Sequence, residues 1–248
     1  MADNWIAAEC TFGGVRGWQV TDATAVSDVV VAPDLPALRV ALGDALVVGC
    51  GFVGDSRMVP CTPLPDSLPK AGGAQLVPGL VDARLHSASG GAETRIAGFL
   101  ADANDWDGVI CVTGETHVWA LVSAGEVVSF QGFDTGRLAR VLALGKQVSG
   151  AAFDVAFSEV MSRPERFAAV MARGNLQADG TVGWGALIGA ELAASRPFWL
   201  GQQVAVIGDD AGADAVGAAL AAQGVPVERA GALVTLIAGL DAARRLGV

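Results

Sequence analysis

At 248 residues the chain is long enough to bury a substantial core, as one large domain or two smaller ones. Hydrophobic residues make up 52% and charged residues 17%, with a mean hydropathy of +0.47, which excludes a disordered chain. The formal net charge is −10 and no basic stripe is present, so nucleic acid is not an expected partner.

No apolar run approaches the length needed to cross a bilayer, so no membrane partner is expected. The opening MADNWIAAEC carries acid where a secretory signal carries base, and the expectation is a cytoplasmic protein. The four cysteines, Cys10, Cys50, Cys61 and Cys111, include no CxxC pair and read as free thiols, most of them in apolar strands. Two histidines, His86 and His117, are too few for a histidine-based zinc site.

In chain order, Trp5–Ala8 reads as a strand, residues 11–14 as a glycine-bearing turn and Val15–Val20 as the returning strand. Val29–Val31 is a third short strand, and Leu35–Leu42 has helical spacing with Pro36 at its start. Val47–Val53 is a buried strand entering a turn. Residues 57–74 hold Pro60, Pro63, Pro65 and Pro69 and read as irregular, residues 75–77 as a strand, and residues 85–92 as a linker. Glu93–Ala103 is a helix.

Residues 109–138 give the densest pattern: strand (109–112), polar turn (114–116), two strands (118–122 and 127–130) joined through Ala124-Gly125, then Phe133-Asp134-Thr135-Gly136 opening a helix. Further helices are expected at 138–144, 153–161, 166–171, 181–194, 213–222 and 234–246, with a strand at 203–207. Strands precede helices twice over, a weak structural repeat.

Several positions admit both a chemical and a structural reading. Glu9–Gly14, followed by Arg16, is either an acidic metal or phosphate-side group with turn donors or an ordinary hairpin with an exposed Glu. Gly114, Glu115 and Thr116 either cradle phosphate through backbone N–H groups or form a hairpin turn beside a satisfied His117, and Glu115 opposes phosphate unless Mg²⁺ intervenes. Gly208, Asp209 and Asp210, between a strand and a helix, either approach a nucleotide or cap the helix. Neither GxGxxG nor GxxxxGK occurs. Glu93 is either a general base for a substrate hydroxyl or a first-turn Glu complementing the helix dipole. The six tryptophans read as core.

Taken in order, these fragments resemble the 2-dehydro-3-deoxygalactonokinase family. WIAAECTFGGVRGW (5–18) is similar to a strand, an Asp-Trp-Gly-Ser/Thr turn and Leu-Arg-x-Trp, with Arg16 and Trp18 retained. GCGFVG (49–54) resembles Ala-Gly-Met-Val-Gly, and Pro78-Gly79-Leu80 follows in order. GAETRIAG (91–98) resembles Arg-Gly-Glu-Glu-Thr-Gln-x-x-Gly, and residues 114–119 resemble Gly-Thr-His-x-Lys-Trp. FDTGRL (133–138) resembles Phe-Met-Thr-Gly-Glu-Leu, and GALIGAE (185–191) resembles Gly-Leu-Leu-Ile-Gly-Ala-Glu.

The resemblance implies an α/β actin-like ATPase and sugar-kinase (ribonuclease H-like) fold, with two lobes of mixed sheets around a cleft, expected at 1–91 and 92–248. It implies ATP- and Mg²⁺-dependent phosphorylation of a 2-keto-3-deoxy sugar acid in sugar-acid catabolism, and a homodimer. Nucleotide would lie on Thr11, Gly13, Gly114, Glu115 and Thr116, with Gly208 and Asp209 near the adenosine. Arg16, Thr94 and Thr135 would hold substrate, Glu93 and Glu9 would be catalytic, and Glu9 would engage Mg²⁺. The departures fall in these segments: Glu9 for Asp, Cys10-Thr11-Phe12 for the small turn, Gly90 and Ala92 for Arg and the first Glu, and Glu115, Thr116 and Val118 for Thr, His and Lys. They motivate a competing reading, a relative that binds a sugar acid or a protein partner without turnover.

Overall fold

The computed structural model describes residues 3–68, 70, 71 and 73–246. Its elements in chain order are β1 (Asn4–Thr11), β2 (Gly14–Thr21), β3 (Thr24–Ala25), β4 (Val30–Ala32), α1 (Leu35–Leu42), β5 (Val47–Cys50), β6 (Ser56–Met58), β7 (Lys70–Ala71), β8 (Ala74–Leu76), β9 (Gly79–Asp82), β10 (Ser87–Ala88) and α2 (Ala92–Asp102). There follow β11 (Gly108–Val112), β12 (His117–Ser123), β13 (Glu126–Phe133), α3 (Thr135–Val141), α4 (Ala151–Ser162), α5 (Phe167–Gln177), α6 (Gly180–Ala194), α7 (Arg196–Trp199), β14 (Val204–Ile207), α8 (Ala211–Ala222), β15 (Val227–Ala230) and α9 (Ala232–Leu246).

The chain forms two compact units. Unit 1 comprises Met1–Asp107, Val122–Phe130 and Gly231–Val248; unit 2 comprises Gly108–Leu121 and Gln131–Ala230. Helix α2 stays with unit 1 because it packs on α9, and the chain returns to unit 1 for that helix.

Unit 1 carries a mixed sheet in the order β3-β2-β1-β5-β8-β7, with β4 also on β2. Strand β1 pairs antiparallel with β2 and parallel with β5, and β5 pairs parallel with β8. All four residues of β5 are buried, as expected of a central parallel strand covered on both faces. Alternation along β1 sorts its side chains: Ile6 and Ala8 join Leu38 and Leu42 of α1, while Trp5 and Ala7 join Leu236, Ile237 and Leu240 of α9. Helix α1 starts where Asp34 accepts from the Ala37 N–H at 2.8 Å.

Helices α2 and α9 meet through glycine. A methyl group on Gly98 would lie 1.9 Å from the Thr235 carbonyl oxygen, and one on Gly239 would lie 1.9 Å from that of Thr94. The second sheet of unit 1, β10-β9-β6, is small.

Unit 2 holds β11, β14 and β15, parallel in succession, with His117–Leu121 of β12 and Gln131–Phe133 of β13, from the five-stranded order β13-β12-β11-β14-β15. Every residue of β11 and β14 is buried. Helix α6 is buried along most of its length, and its glycines admit α4: methyl groups on Gly185 and Gly189 would lie 2.4 Å and 2.7 Å from the Phe153 and Phe157 carbonyl oxygens. All six tryptophans are buried, as the sequence reading expected.

The long elements follow their periodicity, and the short ones do not. Residues 57–74 include the end of β6 and all of β7 (Pro69 lies outside the described residues), and the linker at 85–92 contains β10. Strands β9 and β15 and helix α7 carry no period long enough to be read from sequence. All four cysteines are free; Cys50 and Cys111 are buried, and Cys10 and Cys61 are half-buried. Among the described residues no helix is long and apolar enough to cross a membrane.

Replacing Gly98 by Ala is expected to destabilise the fold by about 1–3 kcal/mol, because α2 must move off α9 to admit the methyl group. Urea unfolding followed by far-UV circular dichroism measures this; an unchanged midpoint and slope would refute the close approach.

Candidate functional site

In unit 1 the first turn is a tight hairpin, Thr11 pairing with Gly14 across Phe12 and Gly13. The Thr11 hydroxyl donates to the Gly14 carbonyl at 3.0 Å, and Phe12 is exposed. Glu9 precedes the turn and is buried, 5% exposed, contrary to the exposed Glu of a plain hairpin. Arg95 of α2 donates to its Oε1 at 2.6 Å and Arg16 of β2 to its Oε2 at 2.5 Å. Burial pushes the Glu9 carboxyl up, but the two guanidinium groups outweigh it and hold the group below the usual carboxylate range.

Glu9, expected to engage Mg²⁺, is ion-paired through both oxygens in this arrangement. Both Glu9 oxygens already accept from cations, so a Mg²⁺ ion here would face two guanidinium charges. Among the described residues no group of three or more His, Cys, Asp or Glu side chains could hold a metal ion. The residues do not fit a resident Mg²⁺, and Glu9 acts instead as the carboxylate that aligns Arg16 and Arg95.

Glu93 sits in the first turn of α2, after Gly91 at φ 98°, a left-handed conformation suited to glycine. It is fully buried and accepts from the Ser89 hydroxyl at 2.5 Å and the Gly91 N–H at 3.1 Å. Burial raises its pKa above the carboxylate range despite these bonds. A general base must be reached by the proton it takes. Glu93, expected as the base, is enclosed here and supports the Ser89–Gly91 turn. Thr94, expected to hold substrate, is also fully buried, beneath the α2–α9 contact.

In unit 2 the turn at Gly114, Glu115 and Thr116 is held by the start of α3. The Arg137 N–H donates to the Glu115 carbonyl at 2.8 Å, and Thr116 donates to Asp134 at 2.9 Å. A methyl group on Gly136 would lie 1.8 Å from the Gly114 carbonyl oxygen, so only glycine lets the helix approach this closely. Glu115 pairs with Arg140 at 2.9 Å, which offsets the negative charge inside the turn.

A buried network lies against this turn. Glu191 of α6 meets His117 Nδ1 at 3.0 Å and accepts from Trp119 Nε1 at 2.7 Å and from the Thr135 hydroxyl at 2.5 Å. Burial alone would drive a proton off His117, yet the Glu191 charge, its hydrogen bond and the Asp210 charge leave the imidazole pKa raised. Burial likewise pushes Glu191 up, and His117 together with the Thr135 and Trp119 bonds brings it below its usual value. Both directions favour the charged forms, imidazolium and carboxylate. Thr135, expected to touch substrate, is buried and donates to Glu191.

The Gly208, Asp209 and Asp210 segment lies between β14 and α8. Asp210 caps α8, accepting from the Ala213 N–H at 2.8 Å, and also accepts from the Thr113 hydroxyl at 3.0 Å. The Thr113 N–H donates to the Ile207 carbonyl at 2.9 Å, so this segment and the 114–116 turn are neighbours. Gly208 is buried and Asp209 exposed. Unit 1 therefore brings together Glu9, Arg16 and Arg95, and unit 2 brings together the 114–116 and 208–210 turns. Sequence reading missed Arg95, Ser89 and Glu191, and named His117 only as a satisfied side chain beside the turn. Glu191 was visible only as the last residue of GALIGAE, and nothing along the chain signals which side chains a buried carboxylate will meet.

The family model for 2-keto-3-deoxy-galactonokinase matches residues 14–243. The chain belongs to this family. The match begins at Gly14, leaving Glu9 and the turn residues Phe12 and Gly13 before it. A crystal structure from Sinorhizobium meliloti, assigned as a 2-dehydro-3-deoxygalactonokinase, superposes with a TM-score of 0.79 at 20% identity, covering 97% of this chain and 98% of that one. Component A of the (R)-2-hydroxyglutaryl-CoA dehydratase from Acidaminococcus fermentans superposes at 0.55 and 12% identity, covering 98% of each chain. The activator of the 2-hydroxyisocaproyl-CoA dehydratase from Clostridium difficile, solved with bound ADPNP, superposes at 0.52 and 10% identity, covering 98% and 96%. At these identities the likeness carries the fold, which is that of the actin-like ATPases and sugar kinases. No curated relative matches the sequence.

The His117 contribution to stability follows from its raised folded pKa. It is complete below the unfolded value of about 6.5 and is lost as pH rises through the folded pKa. The difference in Tm between wild type and His117→Gln is therefore expected to narrow from about pH 6 to about pH 9. Thermal melts at fixed ionic strength check this, and a constant or widening difference would mean that the imidazole is neutral.

Proposed function

We propose that this member of the 2-keto-3-deoxy-galactonokinase family transfers a phosphoryl group from ATP to a hydroxyl of a 2-keto-3-deoxy sugar acid. The family match over residues 14–243 carries the reading. The two neighbouring turns of unit 2 support it, because phosphoryl transfer depends on fixed donors and positioning more than on covalent chemistry. In this reading the backbone at Gly114 and Thr116 receives the phosphates, with Gly208 and Asp209 beside the nucleoside. Arg140 lowers the electrostatic cost of Glu115. That a protein of the same fold was solved with ADPNP is consistent with nucleotide binding.

The sugar acid carries a carboxylate, and unit 1 offers Arg16, partly exposed and oriented by Glu9. Two guanidinium groups against one carboxylate leave a local positive excess suited to an anion. Mg²⁺ belongs to this reading as the counter-ion brought in with ATP, since the described residues provide no resident site. Assembly as a homodimer belongs to the same reading and is tested by light scattering.

Mg·ATP or Mg·ADP at about a hundred times its Kd is expected to raise Tm by about 5–10 °C. A coupled ADP-release assay with 2-keto-3-deoxygalactonate then reads turnover. Failure of any nucleotide to shift the melt at millimolar concentration would refute the kinase reading.

Glu93→Gln separates two roles in the active enzyme. As a support for the turn, Glu93 predicts that kcat falls less than about tenfold; as the proton acceptor it predicts a loss of about 10²–10⁴.

A further inference from the structure

Glu191 connects three pieces of unit 2 that the chain reaches separately. His117 begins β12 immediately after the 114–116 turn, and Trp119 lies two residues further along the same strand. Thr135 begins α3, the helix whose Gly136 and Arg137 seat that turn. The carboxylate oxygens accept from all three side chains while α6 is buried around them. Glu191 is buried, 2% exposed.

The other face of His117 points to the second turn. Its Nε2 is buried without a hydrogen-bond partner, and a methyl group on Gly212 would lie 2.6 Å from it. The same methyl group would lie 3.2 Å from Asp210 Oδ1, so the imidazole edge, the start of α8 and the cap of α8 converge on one spot. Asp210 in turn holds Thr113, the residue before the first turn. The imidazole thus stands between the carboxylate of α6 and the segment that carries Gly208 and Asp209.

We propose that Glu191 is a positioning residue: through His117 and Thr135 it fixes the backbone of the 114–116 and 208–212 turns in the spacing that a nucleotide requires. It touches no ligand itself. The nucleotide part rests on the function proposed above, while the ordering of the two turns stands apart from it. A carboxylate under the turns is suited to this because it accepts several bonds at once and, being buried, pays a large penalty for losing any of them.

The test compares wild type with Glu191→Gln, Thr135→Val and Thr135→Ser in the full chain. Backbone hydrogen exchange reports the order of the turns, and calorimetry gives Kd for Mg·ADP and for 2-keto-3-deoxygalactonate. In folded Glu191→Gln, exchange at Glu115, Thr116 and Gly212 is expected to rise by about tenfold or more, and Kd for Mg·ADP likewise. Kd for the sugar acid should stay within about twofold, a split that general destabilisation would not produce. Thr135→Val, which keeps the side-chain volume, should move the same readouts in the same direction, and Thr135→Ser should restore them. It also serves if Glu191→Gln does not fold. Unchanged exchange and unchanged nucleotide Kd in a folded variant overturn the proposal. Should wild type bind no nucleotide, the kinase reading falls, and the exchange measurement still decides whether Glu191 orders the turns.

Discussion

A carboxylate removed from water must find its counter-charge inside the protein, and each unit is arranged around one that does. In unit 1, Glu9 on the central strand β1 is met by Arg95, 86 residues away on α2, and by Arg16 on the adjoining strand. In unit 2, Glu191 on α6 is met by His117, 74 residues away, and by Trp119 and Thr135. An isolated buried charge costs far more than any single hydrogen bond returns. These partners are therefore constraints on where whole elements sit, and the turns next to them inherit that placement.

Close helix packing brings the charges within reach. The helix that carries Arg95 also carries Gly98, and the lack of a side chain there lets α2 settle on α9. The helix that carries Glu191 carries Gly185 and Gly189, which admit α4 in the same way. Small residues at the contact bring backbone against backbone, and the charged side chain on the same helix then meets its partner at hydrogen-bond distance. Packing and electrostatics in each unit are two consequences of one helix position.

The same constraint explains how the unusual residues are accommodated. Glu9, at the position where the family resemblance implies a metal-engaging Asp, is neutralised by two arginines and orders them. Glu115, in a turn where negative charge opposes phosphate, is matched by Arg140 on the helix that seats the turn. Each added acid has a basic partner contributed by a neighbouring element. These substitutions change which groups do the electrostatic work while leaving a fold shared, at a TM-score of 0.79, with a relative only 20% identical.

The sequence by itself determined the long elements, the hairpin at 11–14, the position of the 114–116 turn and the family. Hydrophobic period and turn chemistry act over a few residues and can be read from them: Leu35–Leu42 is α1 residue for residue, and Asp34 caps it. Short strands such as β9 and β15 escaped because two to four residues carry no period and their pairing depends on distant partners. The candidate site divides along the same line. Arg16 and the glycine turns were legible as local patterns, whereas the enclosure of Glu93, Thr94 and Thr135 was not. Burial is a property of what packs on a residue from elsewhere in the chain. Only the tertiary structure decided that Glu9 faces Arg95 and that Glu191 lies beneath both turns, because those pairings join residues 56 to 86 positions apart.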